Sequence, residues 1–394
     1  MKIGRTVPPA AAPLGWRDLC HGVAGALSPK GSLCAREDEI RREFGVPHVF
    51  LVSSGAAALT LALTALKTIS PRREVVIPAY TCFSVPAAIL KAGLRPVLCD
   101  INPSTFDFDH VLLERAVGKD TLCVIAHHLF GVPSDVQRTR AFCRARGIFV
   151  IEDAAQAMGV MADGRKLGTV GDVGIFSLGR GKNITCGSGG VVVTSRDDIA
   201  AALAPRYKTL PSPTWLESSK DLVRLFVLTI FIRPRLYWIP ASLPFLRLGE
   251  TVFPKDVVVR RLSGFKAGLL RRWQTHLAQS NQIRSKTAGY FGKRIPGRPG
   301  SDGSHPYLRL PIFAATPHEK QRLYASSQTR GLGLSVAYPT PVSDIPEVRA
   351  AIDGRQFPAA RRVAASLLTV PTHHWLTPRD KQAIAELCRD ARIA

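Results

Sequence analysis

The chain has 394 residues, 46% of them hydrophobic and 21% charged, ample for a large domain with a buried core and a smaller one beside it. Lys and Arg number 53 against 30 Asp and Glu, a net charge of +23, and residues 201–300 alone hold 18 basic and 4 acidic side chains. A surface of this sign draws phosphorylated substrates or anionic lipid, but there is no basic helix interleaved with aromatics and no nucleic-acid motif, so no nucleic-acid partner is expected. The eight cysteines are scattered without CxxC pairs or metal spacing, which reads as reduced thiols in a cytosolic protein. The first residues lack the charged, apolar, small-residue order of an export signal, so a cytoplasmic location is expected. No internal repeat is present.

In chain order, Val49–Val52 reads as a strand, and Ser53-Ser54-Gly55-Ala56-Ala57-Ala58-Leu59 opens a helix running through Leu61, Leu63 and Leu66. A strand, a small-residue turn and a helix start present free backbone N–H groups to an anion, although an ordinary strand-to-helix turn looks the same. Apolar runs follow at Val75–Ile77, Pro96–Cys99, Leu122–Ala126, Ile148–Ile151 and Gly190–Val193, separated by helical patterns. This alternation predicts a mostly parallel sheet with crossover helices.

Asp153 follows the fourth of these runs. A residue at the carboxyl end of such a strand opens into the crevice where ligands bind, though it could equally cap a helix. Gln156 is three residues on, where the chain is expected to turn toward a helix. Ser177 then ends another apolar stretch, Lys182 follows in Gly179-Arg180-Gly181-Lys182-Asn183, and a glycine-rich turn comes at Gly187-Ser188-Gly189-Gly190. The order carboxylate, hydroxyl, lysine is the set that pyridoxal phosphate requires: an amine to form the Schiff base, an acid to keep the pyridine nitrogen protonated, and small polar groups for the phosphate. Taken alone, Ser177 is more often a turn hydroxyl and Asp153 a cap. Together with Lys182 they favour the cofactor.

These stretches resemble the DegT/DnrJ/EryC1/StrS family of pyridoxal-phosphate aminotransferases. The resemblance rests on Val52-Ser53-Ser54-Gly55, Val76-Ile77-Pro78-Ala79-Tyr80-Thr81, His128-Leu129-Phe130-Gly131-Val132-Pro133, Glu152-Asp153-Ala154-Ala155-Gln156-Ala157, Phe176-Ser177 and Lys182-Asn183-Ile184-Thr185. Weaker echoes lie in Arg261-Leu262-Ser263, Tyr338-Pro339-Thr340-Pro341 and Phe357-Pro358-Ala359-Ala360. It implies the type I aminotransferase fold, α/β with a mostly parallel sheet and a smaller α+β C-terminal domain, and a homodimer with shared active sites. By resemblance Lys182 attaches to the cofactor and shuttles the proton, Asp153 pairs with the pyridine nitrogen, Gln156 lies near the ring oxygen, and Ser177 with the backbone of Gly55 and Ala56 holds the phosphate. The implied substrates are an amino-acid donor, glutamate, and a nucleotide-linked keto-sugar of polysaccharide or glycoconjugate synthesis. Some relatives carry histidine at the position of Lys182 and act as sugar dehydratases, so the lysine argues for transamination. A non-catalytic or membrane-associated member of the fold is the other alternative.

Several positions depart from the family pattern. Ala56 stands where threonine is usual, Cys82 where an aromatic stacks on the ring, Ser188 where an acid is common, Val259-Arg260 where an asparagine-tyrosine pair is usual, and Ala337 in place of a histidine. Phe83 or Tyr80 would then stack on the ring, and Arg260 could reach the neighbouring subunit's phosphate.

The large domain is expected over 1–270, with an apolar, basic insertion at about 215–255, and the small domain over 271–394. Within the insertion the apolar run Leu225–Ile232 falls far short of the roughly 20 residues of a membrane span. Arg224, Arg233, Arg235 and Arg247 flank apolar residues and the pair Tyr237-Trp238, so segment 222–248 either packs on a partner subunit or over the active site, or makes a peripheral contact at the inner membrane face. In the small domain, strands are expected at Tyr307–Ile312 and Leu334–Tyr338 and helices around 317–330 and 378–391.

Overall fold

The computed structural model describes residues 2–246, 248–249, 251–295, 305–349, 352 and 355–389. The apolar runs form β1 (His48–Val52), β2 (Glu74–Pro78), β3 (Arg95–Cys99), β4 (Thr121–His127) and β5 (Phe149–Asp153). A two-residue hairpin, β6 (Met161–Ala162) and β7 (Arg165–Lys166), precedes β8 (Val173–Ser177) and β9 (Gly190–Thr194). All but the hairpin make one sheet in the order β1-β9-β8-β5-β4-β2-β3. The pairings from β8 through β5, β4 and β2 to β3 are parallel, and β9 runs antiparallel to both β8 and β1. This is the expected α/β class with a mostly parallel sheet.

Both faces of the sheet are covered, so its strands are continuous apolar runs. Successive side chains still go to opposite faces. Cys123, Ile125, Ile151 and Val192 enter one core, while Val124, Ala126 and Val150, and further along Val191 and Val193, enter cores on the other side. The helix Gly55–Ile69 packs into the first core along most of its length, because its sequence is Ala and Leu nearly all round.

The connection from β5 to β8 contains no crossover helix, contrary to expectation. After Gln156 the chain runs through turns and the β6–β7 hairpin. Asp163, Gly159, Gly164 and Gly168 all have positive φ, which an α-helix cannot accommodate. What orders this stretch is Glu152, fully buried on β5. Its carboxylate accepts the N–H groups of Gly168 (2.6 Å), Val170 (2.7 Å) and Gly171 (2.8 Å) and meets His128 Nε2 at 2.8 Å. Burial alone would raise its pKa, but the bonds from His128 and the backbone carry it below the usual carboxylate range.

After the helix Trp273–Gly292, β10 (Arg309–Phe313) pairs antiparallel with β11 (Leu367–Pro371), flanked by helices Pro317–Arg330, Pro358–Ser366 and Pro378–Arg389. The expected strand at Tyr307–Ile312 is therefore present, displaced by two residues at its start and one at its end. That at Leu334–Tyr338 is not a strand: only Ser335 bridges Thr369. Gly333 (φ 78°) and Ala337 (φ 53°) break the extended run, and Pro339 and Pro341 bring no N–H. The last helix ends at Arg389, and residues 390 and 391 of the expected span lie outside the described residues.

The insertion forms the helix Trp215–Phe231, begun by a Thr214/Glu217 capping box, and the helix Pro234–Ala241. Among the described residues no helix is long and apolar enough to cross a membrane. Arg247 lies outside the described residues.

Removing the buried carboxylate in Glu152→Ala should lower the free energy of unfolding by about 3–5 kcal/mol at pH 7, since it strands three N–H groups and His128. Because the folded-state pKa is the lower one, the wild-type advantage exists above the unfolded value of about 4.3 and is lost as pH falls through the folded value. Denaturant midpoints of both proteins from pH 7 down to pH 3 test this; a constant difference across that range would refute it.

Candidate functional site

Because β4, β5 and β8 run in parallel, their carboxyl ends lie along one edge. His127 is in register with Asp153, and Asp153 with Ile175, two residues before Ser177. Asp153 and Ser177 therefore open into one crevice.

One wall of the crevice is the start of the helix Gly55–Ile69. Ser54 caps it, its Oγ accepting the Ala57 N–H at 3.0 Å, so the N–H groups of Gly55 and Ala56 have no acceptor within the helix. Ser177 lies directly against Gly55: a Cβ at 55 would stand 2.9 Å from the serine Cβ. Gly190 is pressed as closely on Ser54, where a Cβ would meet the carbonyl oxygen at 2.1 Å. Gly179 N–H donates to Ser177 Oγ at 3.4 Å. Glycines at 55 and 190 thus let a hydroxyl and a helix N-terminus converge on one small space suited to an anion. Beside it is a cavity of about 590 Å³ whose lining includes Ser53, Ser54, Ala56, Ser84, Ser188 and Arg260.

The second wall follows β5. Asp153 commits Oδ1 to the N–H of Ala155 at 3.0 Å, a local turn bond rather than a helix cap. His127 behind it is buried, with Nδ1 3.0 Å from Thr81 Oγ1 and Nε2 2.8 Å from the Phe106 carbonyl. Burial pushes its pKa down, against the pull of that carbonyl and of Asp153. Gln156 Oε1 accepts the Phe130 N–H at 3.1 Å, and its Nε2 donates to the Tyr338 hydroxyl at 2.9 Å.

Tyr338 is a site residue that sequence reasoning missed as such. Its segment drew notice only as a weak motif, and nothing local ties it to Gln156. Phe83 is buried with its ring 6.2 Å from that of Tyr338 at 31°. Tyr80 is fully buried and donates its hydroxyl to the Tyr338 carbonyl at 3.1 Å, which makes it a core residue rather than a ring-stacking one. Cys82 Sγ lies 3.0 Å from Ser84 Oγ.

Lys182 comes from the turn after β8. Its N–H donates to Gly179 O at 3.3 Å, and its carbonyl accepts Arg284 Nη2 at 3.4 Å. Gly181, at φ 75°, admits Ala10 so closely that a Cβ at 181 would lie 2.9 Å from it. Asn183 Nδ2 bonds Asn281 Oδ1 at 3.0 Å. Burial depresses the Lys182 pKa; Cys82 and Asp153 pull it up, and Arg309 pushes it further down. The turn thus delivers an amine biased toward its neutral form into the field of Asp153. Two family departures find partners inside this chain: Ser188 Oγ accepts Lys266 Nζ at 2.9 Å, and Arg260 pairs with Glu217.

Residues 31–209 match the sequence model of the DegT/DnrJ/EryC1/StrS aminotransferase family, so the resemblance read from the motifs holds over that span. GDP-perosamine synthase of Vibrio cholerae is 36% identical over 177 residues, 45% of this chain, and the match spans only about half (48%) of that relative. A UDP-N-acetyl-3-dehydro-alpha-D-glucosamine 3-aminotransferase of Acidithiobacillus ferrooxidans is 28% identical over 313 residues, 78% of this chain and 74% of the relative. The crystal structure of the sugar aminotransferase CalS13 from Micromonospora echinospora superposes with a TM-score of 0.76 at 22% identity, over 97% of this chain and 99% of that one, which establishes the fold.

With its pKa depressed, Lys182 should acylate at lower pH than exposed lysines. Labelling the purified protein with an amine-acylating reagent across pH 6–10, read by peptide mass spectrometry, checks this. A Lys182 profile coincident with that of the surface lysines would contradict it.

Proposed function

We propose that this chain, which carries the DegT/DnrJ/EryC1/StrS family signature over residues 31–209, is a pyridoxal-phosphate-dependent aminotransferase. It would move an amino group from an amino acid, glutamate by family resemblance, to a nucleotide-linked keto-sugar in polysaccharide or glycoconjugate synthesis. The observation that carries this reading is Lys182, an interior amine biased toward neutrality, in one crevice with Asp153 and with the anion cradle of Gly55, Ala56 and Ser177.

The residues present fit the cofactor. Ser177 Oγ and the N–H groups of Gly55 and Ala56 would hold the phosphate; Ala56 offers only its backbone where relatives add a hydroxyl. Asp153 would sit at the pyridine nitrogen and keep it protonated. Gln156 would face the ring oxygen, oriented by Phe130 and Tyr338, and Phe83 would flank the ring. When bound, the cofactor supplies an electron sink for the carbon that loses or gains the amine. Lys182 would supply the amine that holds it and the base that carries the proton to and from the substrate carbon. Its depressed pKa favours both tasks, because a protonated amine does neither.

The same reading includes a homodimer with shared active sites, a large unit over 1–270 carrying the insertion at about 215–255, a small unit over 271–394, and a place in the cytoplasm. A peripheral contact with the inner membrane face is favoured by one observation. The helix Trp215–Phe231 turns Leu225 and Thr229 inward and leaves Trp215, Leu216, Val223, Phe226 and Val227 exposed. Trp16 extends this face, meeting Phe226 edge-on at 5.2 Å. Both acids of the helix are engaged, Glu217 with Arg260 and Asp221 with Lys266, while Lys220 and Arg224 are exposed. An apolar stripe flanked by cations suits an anionic lipid surface.

Incubation with pyridoxal phosphate should produce the absorption band of lysine-bound cofactor, and glutamate should bleach it. Lys182→Ala should lose the band and slow turnover roughly a hundredfold or more. Asp153→Asn should keep the band and slow turnover by about tenfold or more. A Lys182→Ala protein with wild-type rate would sink the assignment. Vesicles containing phosphatidylglycerol should sediment the wild type, neutral phosphatidylcholine vesicles should not, and Val223→Glu with Val227→Glu should abolish the binding. If these substitutions instead change only the dimer equilibrium in analytical ultracentrifugation, the face belongs to a second copy.

A further inference from the structure

The Gln156 amide has only one orientation open to it. The Phe130 N–H, 3.1 Å from one end, can only donate, so that end is Oε1. The other end is Nε2, which donates one hydrogen to the Tyr338 hydroxyl at 2.9 Å and keeps the second for a ligand. Gln156 thus offers the crevice a donor and not an acceptor. Gln156 and Tyr338 are each only 9% exposed, so water does not compete freely for these bonds.

The hydroxyl that completes this arrangement lies 182 residues further along the chain. The Tyr338 ring is boxed by Tyr80, Phe83 and Phe130, at centroid distances of 5.8, 6.2 and 6.4 Å. Tyr80 also donates to the Tyr338 carbonyl at 3.1 Å, and the Val342 N–H donates to Ala79 O at 2.8 Å, which sews this segment to the end of β2. The residue before Tyr338 is Ala337, at φ 53°, a left-handed conformation that a residue with a Cβ keeps only where its surroundings enforce it. One enforcing contact comes from the downstream end of the insertion: Thr251 Oγ1 donates to Ala337 O at 2.8 Å. That carbonyl belongs to the peptide that leads into Tyr338. A line of contacts therefore runs from Thr251 through the Ala337 peptide and the Tyr338 hydroxyl to the Gln156 amide.

We propose that Thr251 and Tyr338 are positioning residues for the cofactor's ring oxygen, acting through Gln156. The end of the insertion holds the peptide that aims Tyr338, and Tyr338 holds the amide whose free N–H meets that oxygen. This rests on the aminotransferase reading and deepens it, because Gln156 faces a ring oxygen only under that reading. A donor there offsets part of the negative charge on the oxygen, and that charge favours a proton on the nitrogen joining Lys182 to the cofactor. The relay thus sets how firmly the donor is held, and with it the pH at which that nitrogen loses its proton.

Two conservative variants test the relay. Tyr338→Phe keeps the boxed ring and removes only the hydroxyl; Thr251→Val keeps the branched shape and removes only the donor. Each is reconstituted with pyridoxal phosphate, and the lysine-bound absorption band is followed across pH 6–10. The midpoint of the spectral change should rise by roughly half a unit to one unit in Tyr338→Phe, the scale of one hydrogen bond, and by less in Thr251→Val. Gln156→Ala should raise it too, and adding Tyr338→Phe to Gln156→Ala should raise it no further, because the hydroxyl acts only through the amide. A hydroxyl that merely supports the fold would shift the double variant by the sum of the two. In the protein without cofactor, the Phe130 amide should exchange its hydrogen faster in Tyr338→Phe than in the wild type, read by peptide mass spectrometry, since Gln156 is then held at one end only. An unchanged midpoint in Tyr338→Phe, additive shifts in the double variant, or unchanged exchange at Phe130 would each overturn the assignment; an unchanged midpoint in Thr251→Val would strike the insertion from it. If Tyr338→Phe fails to form the band, Thr251→Val decides alone, on its midpoint and on its additivity with Gln156→Ala. Absence of the band in the wild type would overturn the aminotransferase reading itself, a different result from a band whose midpoint the variants leave in place.

Discussion

The crevice depends on one buried carboxylate. Glu152 and Asp153 are adjacent on β5, so the pleat sends them to opposite faces. Glu152 is sealed inside, where Gly168, Val170, Gly171 and His128 use its oxygens and tie down the whole connection to β8. A one-residue slip of β5 would move the unsatisfied charge into the crevice and bury Asp153 among apolar groups, so the four bonds to Glu152 also fix the orientation of its neighbour. The same anchoring explains how β5 and β8 can be parallel neighbours without a helix between them. The carboxylate does for the connection what a packed helix usually does: it gives the chain a reason to return along one path.

A second constraint is close backbone approach. Ser177 and Gly55 come from elements far apart in sequence and meet because neither Gly55 nor Gly190 has a side chain in the way. Lys182 is held from a third direction. The chain's start passes over Gly181, and Arg284 clamps Ala11, Lys182 and Leu308 to one guanidinium. The lysine turn is therefore fixed by residues about 100 positions downstream and more than 150 upstream, which suits a group whose task is to place an amine accurately.

Much of this was legible in the sequence, and the boundary between what was and was not is physical. The strands around Asp153 and Ser177 announce themselves as short apolar runs, and the order Asp153, Ser177, Lys182 carries chemistry that few other arrangements share. Tyr338 was not legible, because its role arises from a hydrogen bond with Gln156 across more than 100 residues. The stretch Leu334–Tyr338 was misread because its apolar alternation is that of a strand, while its glycine at 333 and the positive φ of Ala337 allow only one bridge. The helix expected after Gln156 does not form because Gly159, Asp163, Gly164 and Gly168 take positive φ, and Glu152 gives the downstream backbone its partners instead.

The insertion links the interior to the surface. Its second helix, Pro234–Ala241, lends Tyr237 to the neighbourhood of Arg309, and burial pushes that hydroxyl up to about 12, so it stays a neutral donor across the physiological range. Its first helix, Trp215–Phe231, spends its acids inward on Arg260 and Lys266 and keeps its aromatic and aliphatic side chains outward. A helix that packs only through Leu225 and Thr229 while exposing Trp215 and Phe226 gains little from burial within its own chain, and the cost of that exposure is recovered only when something covers it. The second helix follows the first directly through Ile232 and Arg233, so the exposed outer face and the buried Tyr237 hydroxyl belong to one continuous helical pair.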